Sequence, residues 1–177
     1  MLEFKTQRLT IKPLTLDDAQ AVQDLITEKI SRWTAPIPWP HTLENAVWWI
    51  ENSAAEKHMG IFLDNLLIGA TNLALQNGEE VGFWMNEKFE GQRFATEAAA
   101  AMIDYSFKNY GLDYLESSIH IDNLASRRIH EKLAYVLTGE KLNFWRNRNA
   151  EVPVAVYRLT KLDWQKSLQS GDASWRV

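Results

Sequence analysis

Two junctions between predicted strands and helices carry polar residues that suit binding of a phosphorylated ligand. The first is "EGQRFATEAAAA", Glu90 to Ala101, where one glycine and several polar residues lead into an alanine-rich helix. Free backbone N–H groups at a helix N-terminus attract phosphate oxygens, and the helix dipole adds to this attraction. Arg93 stands where such turns usually carry a second glycine. An ordinary loop before an amphipathic helix therefore explains this stretch about equally well.

The second junction is "HIDNLASRRIHEKLAY", in which Asn123 and Ser126 lie three residues apart after a predicted strand. Their side chains suit either of two roles, which are contact with a ligand or capping of the helix that follows. Capping fits both residues well, and the pattern alone favours it.

Acid–base chemistry has one candidate pair in "EEVGFWMN". Glu79 and Glu80 alternate across the predicted strand, so one of them can face a cleft beside Trp84 and act as a general base. The competing interpretation is a solvated carboxylate at a strand start. The four histidines, which are His41, His58, His120 and His130, lack metal-ligand spacing, and the chain has no cysteine. No metal site is expected.

Composition narrows the class of protein. The chain has 177 residues and a formal net charge of −4, which gives no reason to expect nucleic-acid binding. No apolar run is long enough to span a membrane, and the N-terminus lacks the apolar core of a signal peptide. We expect one cytoplasmic domain over residues 1–177, with no membrane partner.

The hydrophobic pattern predicts a strand, two helices, three strands, a helix, a strand, a helix and two strands. In chain order these are "RLTIKPL", "LDDAQAVQDLITEKI", "LENAVWWIENSAAEK", "GIFLD", "LLIGATNLAL", "EEVGFWMN", a helix over about 95–110, "LESSIHID", "LASRRIHEKLAY", "YVLTGEKL" and "VPVAVYRLT". This order predicts an α/β protein with a mixed, mostly antiparallel central sheet and helices on both faces.

Six segments taken in order resemble the GNAT superfamily of acetyl-CoA-dependent N-acetyltransferases, and most closely the branch that acetylates the N-termini of ribosomal proteins. They cover most of the chain: "TQRLTIKPLTLDDA", "APIPWPHTLENAVWWI", "LLIGATNLAL", "EEVGFWM", "GQRFATEAAAAMIDYSFKNYGL" and "IDNLASRRIHEKLAY". The resemblance implies the GNAT fold, and acetyl-CoA as cosubstrate with no metal.

The resemblance also implies a set of cofactor-binding residues. The strand carrying Phe83, Trp84 and Met85 is expected to pair its backbone with the pantetheine arm and to polarise the thioester carbonyl. Asn123 is expected to contact the pantetheine through its amide. The pyrophosphate is expected on the backbone of the turn, which comprises Gly91, Gln92, Arg93, Phe94, Ala95 and Thr96.

Three catalytic roles follow from the same resemblance. Glu80 matches the strand glutamate that deprotonates the amine, often through water. Ser126 is expected to hydrogen-bond the thioester or to protonate the departing thiolate. His130 occupies the place where many relatives carry an acid tyrosine, and it is a second candidate for that proton donor.

The chain departs from the family pattern at three places. In the phosphate turn, Glu90 stands where the family usually has Gln or Arg. Arg93 stands where it has Gly, and Ala95 where it has Gly or Ala. The usual Leu-Gly-Phe after the last matched helix is Leu133-Ala134-Tyr135. Trp145 is the nearest match to an acid that serves as base in the ribosomal branch, and it cannot do so.

The sequence thus predicts transfer of acetyl from acetyl-CoA to a primary amine, with the N-terminal amine of a ribosomal or other protein as the leading acceptor. A small amine such as a polyamine, amino acid or aminoglycoside is the enzyme alternative. A degenerate member that binds CoA or a partner without turnover is the non-enzyme alternative. A monomer and a homodimer are both compatible with the sequence.

Overall fold

The computed structural model describes residues 2–52 and 58–170. Its strands form two sheets in which every paired neighbour is antiparallel. The first sheet has the order β1-β2-β3-β4-β5, with β1 Phe4–Lys5, β2 Leu9–Pro13, β3 His58–Leu63, β4 Leu66–Asn72 and β5 Phe83–Met85. The second has the order β6-β8-β7, with β6 Tyr114–His120, β7 Val136–Trp145 and β8 Ala150–Thr160.

Six α-helices in the described part of the chain cover these sheets. They are α1 Ala19–Leu25, α2 Glu28–Trp33, α3 Leu43–Asn52, α4 Phe94–Asn109, α5 Leu124–Lys132 and α6 Lys161–Gln169. One core joins α1, α2 and α3 to residues of β3, β4 and β5 that include Phe62 and Trp84. A larger core joins α4 and α6 to both sheets through residues such as Met102, Tyr157 and Trp164. The predicted α/β class with a mostly antiparallel sheet is confirmed.

The two sheets meet where β5 and β6 approach each other. Gly78 N–H donates to Tyr114 O at 3.3 Å, and Glu116 N–H donates to Glu79 O at 3.3 Å. From the first hydrogen bond to the second, the residue numbers increase in both segments, so the two segments run in the same direction. Beyond this junction β5 and β6 are edge strands of different sheets, and among the described residues the stretch between them has no backbone hydrogen bonds across it. We refer to it as the β5–β6 gap.

The structure differs from the predicted elements at several boundaries. The single helix predicted over residues 16–30 is divided, because Ile26 is extended and Thr27 caps α2 through its hydroxyl. The predicted strand at 79–86 is regular only over β5. The helix α6, which Thr160 caps, was not predicted. The predicted extension of the helix α3 over residues 53–57 lies outside the described residues. Within the described residues no helix is long and apolar enough to cross a membrane.

Candidate functional site

The β5–β6 gap exposes backbone hydrogen-bonding groups of β5. Asn86 N–H donates to Ile68 O at 2.9 Å. Along this strand the even-numbered residues, which include Trp84, therefore direct their backbone groups towards β4. Adjacent residues of a strand direct their backbone groups to opposite sides. Phe83 and Met85 therefore direct their N–H and C=O groups into the gap, where an extended ligand can pair with them.

The turn after β5 is the candidate phosphate cradle. Gly91 has φ +75° and Arg93, the N-cap residue of α4, has φ +67° and ψ 8°. The first N–H groups of a helix have no partner within the helix, so those after Arg93 can bind an anion. With φ +67°, Arg93 adopts the left-handed conformation, which a glycine would adopt without strain. Its side chain is exposed.

A half-buried ion pair fixes this turn to the segment between β1 and β2, and sequence reasoning missed it. The Glu97 side chain is 5% exposed, and its carboxylate accepts from Thr6 Oγ1 at 2.6 Å and from Arg8 Nε at 2.7 Å. Arg8 also donates to Gln92 O at 3.0 Å and stacks over the ring of Phe94. The available signal was a glutamate within the apolar start of α4, which needs a cationic partner.

Glu90, which stands where the family turn usually has Gln or Arg, has a cationic partner in α2. Lys29 Nζ lies 2.8 Å from Glu90 Oε2, and this contact raises the pKa of Lys29. The negative charge beside the cradle is thereby balanced by a cation from α2. Because the pair is about half exposed, its effect on folding is small.

Asn123 serves as a cap, and its amide nitrogen remains available for a ligand. Its Oδ1 accepts from Ser126 N–H at 3.2 Å at the start of α5. Among the described residues no side chain or backbone group bonds its Nδ2. The capping interpretation and the ligand-binding interpretation are therefore compatible, because each uses a different atom of the same amide.

The two adjacent glutamates have separate surroundings. Glu79 Oε2 accepts from Leu75 N–H at 2.9 Å and so holds the preceding loop. Glu80 Oε2 accepts from Ser118 N–H at 3.4 Å, a long bond, and its backbone C=O accepts from Asn72 Nδ2 at 2.7 Å. Glu79 thus supports the fold, while Glu80 spans the junction between β5 and β6.

Glu80 lies in a cleft that is dense with protein but open to water. Its side chain is accessible to solvent, although protein atoms surround the carboxylate as densely as in the interior. Desolvation raises its pKa, while the Ser118 N–H and the charge of Lys141 oppose that change. A carboxylate with a raised pKa is a better proton acceptor near neutral pH than an ordinary glutamate.

An aromatic cluster lines the gap beside α5. The ring of His130 stacks on Phe83 with 5.7 Å between centroids and meets Tyr135 edge-on at 4.8 Å. Burial lowers the pKa of His130 to about 4, so the ring is neutral at neutral pH. His130 Nδ1 lies 2.9 Å from Ser126 O, which can only accept, so Nδ1 carries the proton and Nε2 has none to give. These surroundings weigh against His130 as the proton donor.

Two buried hydroxyls near Glu80 lack good hydrogen bonds. Ser117 Oγ and Tyr135 Oη reach no partner of ordinary geometry among the described residues. They face each other closely, and the nearby charge of Glu80 contributes to a raised pKa of Tyr135, after desolvation. Buried polar groups of this kind are commonly satisfied by an ordered water or a ligand.

The opposite side of β6 carries a second aromatic group. The ring of His120 lies edge-on to Trp33 at 5.3 Å and to Trp145 at 5.4 Å. Desolvation and then Arg148 lower the pKa of His120. In the loop before α3, both ring nitrogens of His41 are buried without a partner among the described residues.

The sequence matches a family of acetyltransferases. The acetyltransferase (GNAT) domain family matches residues 8–136. YdaF of Bacillus subtilis strain 168, whose name provisionally assigns it as a ribosomal N-acetyltransferase, is 24% identical over 110 residues, which are 60% of this chain and 60% of YdaF. This chain spans about half to three fifths of the length of the first curated relatives that it matches.

Solved structures share the fold. A GNAT-family acetyltransferase from Bacillus anthracis has a TM-score of 0.78 and 20% identity, over 90% of this chain and 98% of that one. Mycobacterium smegmatis RimJ, solved in complex with CoA-disulfide, has a TM-score of 0.73 and 17% identity, over 94% of this chain and 87% of that one. At these identities the similarity is one of fold.

Proposed function

The chain belongs to the acetyltransferase (GNAT) domain family, and on that premise we propose that it transfers the acetyl group of acetyl-CoA to a primary amine. The observation that carries the proposal is the β5–β6 gap. Phe83 and Met85 direct backbone groups into it, and β5 and β6 are followed by the N-termini of α4 and α5. This arrangement suits an extended thioester that ends in a pyrophosphate.

The residues present fit acetyl-CoA along its length. The backbone of Phe83 and Met85 pairs with the pantetheine arm, and the N–H groups from Gly91 to Thr96 hold the pyrophosphate. Asn123 Nδ2 is free for a pantetheine carbonyl. Acetyl-CoA supplies the activated acetyl group, and the outward N–H groups of β5 stabilise negative charge on the thioester oxygen.

Glu80 is the proposed general base. A protonated amine must lose a proton before its lone pair can attack a carbonyl carbon. The raised pKa of Glu80 and its access to water suit that step, either directly or through one water. Ser117 and Tyr135 place two unsatisfied hydroxyls beside the carboxylate, and we propose that they hold this water.

Ser126 is the preferred donor of the proton that the departing thiolate receives. It lies in the first turn of α5, and its own backbone N–H is held by Asn123. His130 is less suited to this step because its ring is neutral and its Nδ1 proton is directed at Ser126 O. His130 then supports the site by packing against Phe83.

The acceptor that we propose is the N-terminal amine of a protein, and the name of YdaF, a ribosomal N-acetyltransferase, favours a ribosomal protein. We further propose that the protein acts in the cytoplasm and that residues 1–177 form one domain. A small amine is the alternative acceptor.

The test measures binding and turnover separately. Thermal shift with acetyl-CoA and with CoA reports binding, and release of the CoA thiol with a panel of N-terminal peptides, polyamines, amino acids and aminoglycosides reports transfer. Glu80→Gln should lower turnover by about 10²–10⁴-fold with little change in CoA affinity. Glu79→Gln is the matched control, because Glu79 bonds the loop before β5.

The pH dependence gives a second readout. Because desolvation raises the pKa of Glu80, its protonation should lower the rate at a higher pH than protonation of an ordinary glutamate would. Glu80→Gln should flatten this acidic limb of the pH–rate profile. Loss of turnover equal in both glutamine variants would reject Glu80 as base. Binding of CoA with no turnover on any amine would favour the binding-only alternative, and turnover on small amines alone would reject the protein acceptor.

A further inference from the structure

The strand β7 forms an unusual edge of the second sheet. Of the strands that the structure describes, only β8 pairs with it. Its ten residues are exposed over most of their length. Leu142 is 61% exposed and Phe144 is 59% exposed. A long edge strand with exposed apolar side chains is a template for pairing with another strand.

The hydrogen-bond pattern shows which residues of β7 are open. Ile121 N–H donates to Pro153 O at 3.2 Å, so the backbone of Pro153 is directed towards β6. Its neighbours Val152 and Val154 are therefore directed towards β7, where they oppose Asn143 and Lys141. It follows that the alternate residues of β7, from position 140 to position 144, direct their N–H and C=O groups outward.

We propose that two copies of this chain associate by antiparallel pairing of β7 with β7 about a two-fold axis at Asn143. A two-fold axis normal to the sheet keeps each side chain on its own face, so Leu142 lies opposite Phe144 of the second copy. Both residues direct backbone groups outward, so the two symmetric pairs form about four backbone hydrogen bonds. The two sheets of three strands become one sheet of about six strands.

The charges select this register. With the axis at Asn143, Glu140 lies opposite Arg146 of the second copy, and both side chains are exposed. Moving the axis to Leu142 places the Glu140 carboxylate against Phe144. Moving it to Lys141 or Glu140 places two like charges opposite each other, which is destabilising. The register at Asn143 joins apolar to apolar and acid to base.

Cysteine cross-linking tests the register, because the natural chain contains no cysteine. Directly opposed residues that are not hydrogen-bonded partners lie about 4.5 Å apart between Cα atoms, within the range for a disulfide. Asn143→Cys should therefore give a disulfide-linked dimer under mild oxidation. Lys141→Cys is the matched control, because its symmetric partner lies about 13 Å away along the strand. Equal cross-linking of both variants, or preference for position 141, would overturn the proposal.

Association in solution gives an independent test. The edge is short, so we expect an affinity in the micromolar range, measured by sedimentation equilibrium up to about 1 mM. Phe144→Lys should give a monomer. Glu140→Arg and Arg146→Glu should each weaken the dimer by several-fold, and the double variant should restore it. Circular dichroism and melting temperature check that each variant folds. A parent chain that stays monomeric, or a double variant no better than the single ones, contradicts the pairing.

Discussion

Replacing Arg93 by glycine separates two effects of the unusual residue in the phosphate turn. At φ +67° an L-residue is strained by roughly 1–2 kcal/mol, and glycine removes this strain. Glycine also gives the unfolded chain more conformational freedom, which lowers the free energy of unfolding by roughly 0.4–1 kcal/mol. The expected net gain is therefore about 0.5–1 kcal/mol in the free energy of unfolding, which for a chain of this size raises Tm by about 1–4 °C.

Binding of CoA should change in the opposite sense. The left-handed conformation of Arg93 is set by the fold of the turn, so we expect its strain to affect the free and the bound protein alike. Replacement by glycine or by alanine removes the charge of Arg93 from the site. Because the residue is exposed, we expect that charge to contribute only about 0.2–1 kcal/mol to CoA binding, or roughly 1.4–5-fold in Kd. We expect Arg93→Gly and Arg93→Ala to weaken CoA binding alike, and most clearly at low salt.

The assay combines differential scanning fluorimetry with titration calorimetry at low and high salt. Ala134→Gly is the matched control, since Ala134 has φ +65° at the end of α5. It should raise Tm by a similar amount and leave the Kd for CoA unchanged. A fall in Tm for both glycine variants would refute the strain argument. Much tighter CoA binding by Arg93→Gly would show that the arginine obstructs the cradle.

Three further changes test other parts of the site. Asn123→Asp keeps the capping oxygen and loses the amide donor, so calorimetry should show weaker CoA binding at nearly constant Tm. The pKa of His130 falls from 6.5 to about 4 on folding. The free energy of unfolding should therefore decrease by on the order of 3 kcal/mol as pH falls from 6.5 to about 4. Denaturant titrations should show that His130→Gln flattens this pH dependence. Glu97→Gln leaves Arg8 without its anion and should lower stability by about 1–3 kcal/mol, with weaker CoA binding as the turn loosens.

Each of these has an outcome that contradicts it. A large stability loss with unchanged affinity in Asn123→Asp would leave the residue as a cap alone. A pH slope that persists in His130→Gln would assign the proton uptake to another group, such as His120, whose pKa is also lowered by burial. Unchanged CoA binding in a destabilised Glu97→Gln would show that the turn keeps its shape without the ion pair.

Local sequence signals located the main elements of the fold and the two helix junctions. Apolar alternation identified β2, β6 and β8, and the glycine and polar residues before Phe94 located the start of α4. These features depend on neighbouring residues, so a single sequence contains them.

The features that the sequence could not supply depend on residues far apart in the chain. The partner of Glu97 lies 89 residues away at Arg8, and the cation that balances Glu90 lies 61 residues away at Lys29. Ala134, which stands where the family pattern has glycine, is by contrast a local departure. The turn there still closes, because Tyr135 N–H donates to His130 O at 3.0 Å in the ordinary helix-ending pattern.

The ion pair between Arg8 and Glu97 has a consequence for synthesis on the ribosome. Thr6 and Arg8 leave the ribosome early, but the carboxylate that they bind is 91 and 89 residues further along. At about 5–20 residues per second the first strands wait several seconds or more for it. The proposed cofactor turn therefore takes its final shape only after α4 has emerged, so a nascent chain that stops before Glu97 should have no CoA affinity.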